Sequence, residues 1–304
     1  MPDKFPLAVI GTVAIDEVET PFGKREKAFG GSASYFSYAA SFFSPVSVVA
    51  VVGKDFPAEF LNILKERPID LSHLEKSDGK TFFWRGRYRY DMNAAETLET
   101  QLNVLTEFNP KLRFSSPPEF VFLANIDPTL QEKVLNQAAK PRTRFVACDT
   151  MNYWIENKRP ELLKVLARVD GIVINENEAR ELAGEPSLIR AAQKIHGWGP
   201  SKVIIKKGEH GVILFDEGKF FILPAYPLES VFDPTGAGDT FAGALMGYLA
   251  KTGDFGFENL KKAVAYGTIV ASFTVEDFSL DRLQRLETRE IEERLGIFRK
   301  ICSF

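Results

Sequence analysis

The chain has 304 residues, 45% hydrophobic and 26% charged, with a formal net charge of -3. That is ordinary globular usage with enough length for a large core, and the slight acidity argues against a general nucleic-acid binder. No apolar run is long enough to span a bilayer, the start MPDKFPLAVIG has no signal-peptide pattern, and two distant cysteines, Cys148 and Cys302, suit free thiols in the cytoplasm.

In chain order, Leu7–Ile10 is an apolar run ending at Gly11 and predicts a first strand. Ala33–Phe43 is an aromatic-rich helix opened by Gly30, Gly31 and Ser32. Val46–Val52 reads as a buried strand, with Asp55 and Pro57 starting the next helix as N-cap and early-turn residues. Thr81–Tyr90, TFFWRGRYRY, carries strand-forming residues and several arginines without a clean apolar face, and predicts an exposed or half-exposed strand. From Glu119 a regular alternation begins. Strands at Phe120–Leu123, Arg144–Cys148, Gly171–Ile174 and Lys202–Ile205 interleave with helices at Leu130–Ala139, Pro160–Ala167, Ala179–Leu182 and Ser187–Ile195. A hairpin-like segment, Gly211–Ile222, precedes two apolar helices, one opening at Gly238 and one at Leu260–Thr274.

This alternation predicts an α/β fold, a mostly parallel sheet with helices on both faces. The segments Val13–Phe29 and Leu74–Tyr90 break it, and read either as surface hairpins or as a small β lid. No repeat, low-complexity stretch or linker divides residues 1–304, so any lid belongs to a single domain.

The chemistry concentrates in Asp233–Ala244, DPTGAGDTFAGA. The helical pattern after Gly238 puts the N–H groups of Gly236, Ala237 and Gly238 at a helix N-terminus, where free donors and the helix dipole attract anions. Asp239, an acid beside an anion hole, is suited to take a proton from an attacking hydroxyl. Taken alone, the same residues make a tight turn and a helix cap. Asn175-Glu-Asn-Glu178 follows a strand, at the edge where open α/β sheets bind ligands, and alone reads equally as an acidic helix start. No GxxxxGK[ST] string is present, and the three histidines are scattered.

Position by position, Asp233–Ala244 resembles the C-terminal signature of the ribokinase (pfkB) family of carbohydrate kinases. The resemblance implies a ribokinase-like three-layer α/β/α sandwich with a small β lid from about 13–29 and 74–90. It implies Asp239 as catalytic base and Gly236, Ala237 and Gly238 as anion hole. Asn175 and Glu178 match the family's N-x-x-E motif, which organises Mg²⁺ around the nucleotide phosphates. Lys206 and Gly208 match a nucleotide-contacting turn, although a lysine pair is also ordinary surface. Thr235 of the signature and Val270 are further nucleotide-side candidates; ordinary helix packing accounts for Val270 equally well. Asp149 and Asn152 resemble a D-x-N segment with altered spacing, or a turn. On the acceptor side, Asp16, five residues after Gly11, matches the carboxylate that holds acceptor hydroxyls, and Gly30 and Gly31 match the glycines that let substrate approach the backbone. Many family sugar kinases read G-G-x-x-x-N, whereas GGSASY puts Tyr35 at that position and looks closer to inositol kinases. Arg85, Arg87 and Tyr88 are candidates to close over the acceptor, with surface charge preferred for Arg87. Asp233 matches one ligand of a monovalent cation that some members bind, but Val275–Ser279 lacks the glycine often found there.

The resulting expectation is an ATP- and Mg²⁺-dependent kinase acting on a hydroxyl of a small sugar, polyol or nucleoside. A nucleotide or sugar sensor, or a subunit joined as a homodimer through lid edges, are the alternatives. No membrane or nucleic-acid partner is expected.

Overall fold

The computed structural model describes residues 6–114, 116–137 and 142–303. The first five residues and the end of the predicted helix at Ala139 lie outside these. Among the described residues, thirteen strands and eleven α-helices follow in chain order. They are β1 (Leu7–Ile10), β2 (Ala14–Thr20), β3 (Gly23–Gly30), α1 (Ser32–Ala40), β4 (Val46–Val52), α2 (Ala58–Lys65), β5 (Ile69–Lys76), β6 (Phe83–Tyr88) and β7 (Ala95–Gln101). Then come β8 (Phe120–Leu123), α3 (Pro128–Gln137), β9 (Phe145–Cys148), α4 (Asn152–Asn157), α5 (Arg159–Leu166), β10 (Gly171–Asn175), α6 (Glu176–Ala183), α7 (Leu188–His196) and β11 (Lys202–Lys206). The chain ends with β12 (Val212–Asp216), β13 (Lys219–Leu223), α8 (Ala237–Thr252), α9 (Phe257–Thr274), α10 (Asp281–Gln284) and α11 (Thr288–Cys302).

A nine-stranded sheet runs β13-β12-β11-β10-β9-β8-β1-β4-β5. It is parallel from β5 to β11, and the β12–β13 hairpin adds an antiparallel edge. Side chains alternate faces along each strand. Leu7, Val9, Phe120, Phe122, Phe145, Ala147, Val173 and Ile204 pack into one core with α1, α8, α9 and α11. Ile10, Val121, Leu123, Val146, Cys148, Ile172, Ile174, Val203 and Ile205 pack into a second core with α3, α5, α6 and α7. Two apolar layers on one sheet make the three-layer α/β/α sandwich.

A separate four-stranded sheet, β3-β2-β6-β7, is the small lid-like sheet. Its extent differs from the 13–29 and 74–90 expected. Residues 69–76 instead form β5, a parallel edge strand of the main sheet, and the small sheet continues to Gln101. Asp55 also departs from expectation. The residue capping α2 is Pro57. The Asp55 carboxylate instead accepts hydrogen bonds from the Thr81 N–H and hydroxyl, both at 2.7 Å, tying the end of β4 to the start of the small sheet.

Candidate active site

Parallel strands deliver their following residues to one edge of the sheet. Here that edge collects Gly11 after β1, Asp149 after β9, Asn175 ending β10 and Lys206 ending β11. α8 opens at the same edge. Its N-cap, Gly236, is left-handed (φ 75°), and no side chain caps the first turn; the Ala237 N–H donates to the Pro234 carbonyl at 3.2 Å, while the Gly236 and Gly238 amides are left for an anion. A Cβ on Gly236 would enter the Tyr35 ring, which lies flat against this loop. Tyr35 is 2% exposed, and burial pushes its hydroxyl well above its usual range, so it remains a neutral donor.

Asp239 stands in the first turn of α8. Burial and then the nearby Asp149 push its carboxyl up to about 7, with Lys206 opposing. Lys206 reaches towards Asp149, Nζ to Oδ2 3.4 Å, and its Nζ would lie 2.8 Å from a Cβ on Gly238. Burial disfavours the Lys206 charge, but Asp149, Glu178 and Asp239 outweigh it and hold the ammonium. Asn175 and Glu178 form a capping box on α6: Asn175 Oδ1 accepts from the Glu178 N–H at 2.9 Å, and Glu178 Oε2 accepts from the Asn175 N–H at 2.8 Å. The helix-cap and metal readings therefore coexist, because the cap engages Oε2 and leaves Oε1 for water or a metal. Burial, then Asp149, raises the Glu178 carboxyl to about 8. No group of three His, Cys, Asp or Glu among the described residues is arranged to chelate a metal alone. The donor set fits instead a hard cation that arrives with phosphates and keeps its waters.

The residues expected on the acceptor side lie on or beside the small sheet. Asp16 of β2 is 5% exposed. Burial raises its carboxyl to about 8, and repulsion from Asp233 and Asp239 adds to this. Gly30 exists to make room for Asp16, since a Cβ there would sit inside the Asp16 carboxylate. Gly31 (φ 97°) turns the chain from β3 into α1. Asp16 and Trp84 are register partners, as are Val18 and Gly86, so these residues share a face. The Trp84 ring covers Gly86, and its Nε1 donates to Thr97 Oγ1 at 3.2 Å. Tyr88 reaches the signature loop, its oxygen 3.4 Å from Thr235 Oγ1.

Arg85 falls on the other face. It pairs in register with Glu17 and Glu99, and its guanidinium contacts Glu99 at 2.9 Å. It was expected at the acceptor; strand parity turns it away from Asp16. Arg87 likewise bridges Glu19 at 3.1 Å, as surface charge. Val270 has no exposed surface and is part of the main core, so helix packing accounts for it. Gly208 (φ 54°) opens an exposed turn after β11, where Asn93 of the β6–β7 connection donates to Glu209 at 3.0 Å. This bridge from the small sheet to the far side of the cleft had no sequence signal. Asp233 accepts from the Thr235 N–H (2.9 Å) and the Ser279 N–H (3.2 Å), joining two loops. A monovalent cation at Asp233 would have to compete with both donors.

Residues 7–284 match the profile of pfkB family carbohydrate kinases. The chain belongs to the pfkB family. It is therefore a phosphotransferase with an alcohol group as acceptor, of the sugar and nucleoside kinase type. A cytidine kinase from Thermococcus kodakarensis is 33% identical over 251 residues, covering 80% of this chain and 88% of that protein. In fold, the Methanocaldococcus jannaschii nucleoside kinase superposes with a TM-score of 0.78 at 21% identity, covering 97% of this pfkB chain and 99% of the other. A Ribokinase II candidate from E. coli in complex with ATP and Mg²⁺ superposes with a TM-score of 0.80 at 16% identity, covering 97% and 100%. Among the described residues no helix is long and apolar enough to cross a membrane.

Proposed function

We propose that this pfkB kinase transfers the γ-phosphoryl group of ATP to a hydroxyl of a neutral polyhydroxy acceptor, a nucleoside in preference to a simple sugar or polyol. The observation that carries the reading is the pairing of Asp239 with the uncapped first turn of α8. The acceptor oxygen attacks the γ-phosphorus, its proton passes to an Asp239 carboxylate oxygen, and the bond to the β–γ bridging oxygen breaks to release ADP. The amides of Gly236 and Gly238, with the Ala237 N–H shared with the Pro234 carbonyl, hold the transferred group and stabilise its charge. Lys206 and the turn at Gly208 face the donor phosphates. Mg²⁺ carried by the nucleotide neutralises phosphate charge, and Glu178 with Asn175 would hold it through water. Asp16 orients the acceptor hydroxyls, and Tyr88 with Thr235 closes the space between acceptor and signature loop.

Charge supports a neutral acceptor. The groups that set the Asp16 carboxyl are burial, Asp233, Asp239 and the Gly31 N–H, with no cation among them. Arg85 and Arg87 sit on the opposite face. An anionic sugar acid or sugar phosphate would bring its charge into this buried site without a counter-charge. Trp84, on the Asp16 face, and Tyr88 offer flat aromatic surface suited to a base, and the similarity to a cytidine kinase points the same way.

The test is ADP release from ATP and Mg²⁺ over nucleosides, inositols, pentoses, hexoses and keto-deoxy sugar acids, with Asp239→Asn as blank. Nucleoside-dependent ADP that is lost in the variant is the expected outcome. Turnover confined to acidic sugars would refute the acceptor class. A near-normal rate in Asp239→Asn would refute the base. Nucleotide binding with no acceptor-dependent ADP would favour a sensor.

A further inference from the structure

Lys206 lies where a positive charge borders the anion hole. It ends β11, yet its ammonium extends across β10 to Asp149, the residue after β9, and to the first turn of α8. The absence of a side chain at Gly238 leaves the space that the ammonium borders, 2.8 Å from where a Cβ would stand. Asp149 is itself fixed. It is 5% exposed, its Oδ1 accepts from the Thr150 N–H at 2.7 Å, and its backbone carbonyl accepts from Gln131 Nε2 at 3.0 Å. One carboxylate oxygen is thereby locked by backbone while the other faces Lys206.

We infer that Lys206 is a ligand of the transferred γ-phosphoryl group itself, and that Asp149 is the positioning residue that holds it against the anion hole. The inference rests on the kinase reading and adds one thing to it: a side-chain cation beside the Gly236–Gly238 amides, placed by a carboxylate that touches no substrate. A lysine on a four-carbon stem is mobile unless anchored. Without Asp149, the acids left around Lys206 are Glu178 and Asp239, and pairing with Asp239 would occupy the base. Asp149 thus keeps the cation and the base apart while both face one phosphate.

The test compares binding of Mg²⁺ complexes of ADP and of a non-hydrolysable ATP analogue, by calorimetry, so that no acceptor is needed. Lys206→Met should weaken the analogue by roughly 10- to 100-fold, as for loss of a charge-assisted contact, and ADP by less than about threefold. Asp149→Asn should weaken the analogue by roughly 3- to 10-fold, and Asp149→Glu should recover part of that. The double variant Asp149→Asn with Lys206→Met should bind like Lys206→Met alone, because a positioning residue has nothing left to position. It also removes both buried charges, which keeps the comparison valid if either single variant is unstable. Equal weakening of ADP and analogue in Lys206→Met would overturn the γ-phosphoryl assignment. Additive losses in the double variant would overturn the positioning role. Unchanged analogue binding in Lys206→Met would overturn both while leaving the kinase reading intact. Failure of the unaltered protein to bind either nucleotide would overturn the kinase reading together with the inference.

Discussion

Gly30→Ala separates the geometry of the acceptor side from ordinary stability. Gly30 lies outside the left-handed region, so alanine is acceptable to the backbone and the perturbation is steric. The added Cβ would meet the Asp16 carboxylate, and even its more distant oxygen, Oδ1, would lie only 2.6 Å away. Ordinary non-bonded contact is about 3.5–4 Å, so the carboxylate must move by roughly 1 Å or more. A misplacement of that size costs on the order of 100-fold in rate when it falls on a group that orients substrate, and overpacking costs about 1–3 kcal/mol of stability. The expected result is a fall in kcat/KM for the acceptor of roughly 100-fold, with the Kd for ATP analogue unchanged and a measurable drop in Tm. Adding Asp16→Ala should remove the clash and return Tm towards the parent value without restoring activity. Steady-state kinetics, nucleotide titration and thermal melts on the three proteins decide it. Near-normal kcat/KM in Gly30→Ala, or a double variant no more stable than the single one, would refute the argument that the missing Cβ is there for Asp16.

Further expectations concern protons and the closure of the cleft. Asp239 must be ionised to act as base and its carboxyl is raised to about 7, so kcat/KM for the acceptor should fall as pH drops through about 7; a profile flat from pH 8 to 5.5 would contradict it. Asp16 is raised to about 8, so between the ordinary carboxylate range and pH 8 the folded chain holds a proton that the unfolded chain does not, and stability falls as pH rises across that window. Asp16→Asn should therefore reduce the loss of ligand-free Tm between pH 6 and pH 8, and gain roughly 1–3 kcal/mol at pH 8 by removing a buried charge; an unchanged pH slope would count against it. The Asn93–Glu209 bridge is exposed, and exposed polar contacts contribute about 0–1 kcal/mol. Asn93→Ala should leave Tm unchanged yet raise acceptor-independent ATP hydrolysis, read as phosphate release, if the bridge helps exclude water; no rise would assign it to the surface alone.

The central strands and most of the helices were legible because each is a continuous apolar run or a clear helical pattern, as in VSVVAVV of β4. β5 and β7 were not. IDLSHLEK and AETLETQ are edge strands with much of their surface exposed, and a strand without a buried face leaves no period to read. The site divides in the same way. Asp239 and its glycines stood out as candidates because turn, small residues and acid are neighbours in sequence, and Asp16 because it follows Gly11 at the spacing of the family resemblance. Arg85 could not, because TFFWRGRYRY has no apolar face to reveal its parity. Only the register, which sets Trp84 beside Asp16 and Arg85 beside Glu17, shows which side chains face the cleft. Asp149 was ambiguous for a related reason: its partner is 57 residues away, and nothing local to either residue encodes that a lysine on β11 crosses β10 to meet it. Glycine was the subtlest. Gly30, Gly236 and Gly238 all suggest open backbone, yet the missing Cβ leaves room for Asp16, for Tyr35 and for Lys206 respectively. In this chain a glycine near the site marks where a side chain from another element must stand, so replacing one should damage the role of its occupant before it damages the fold.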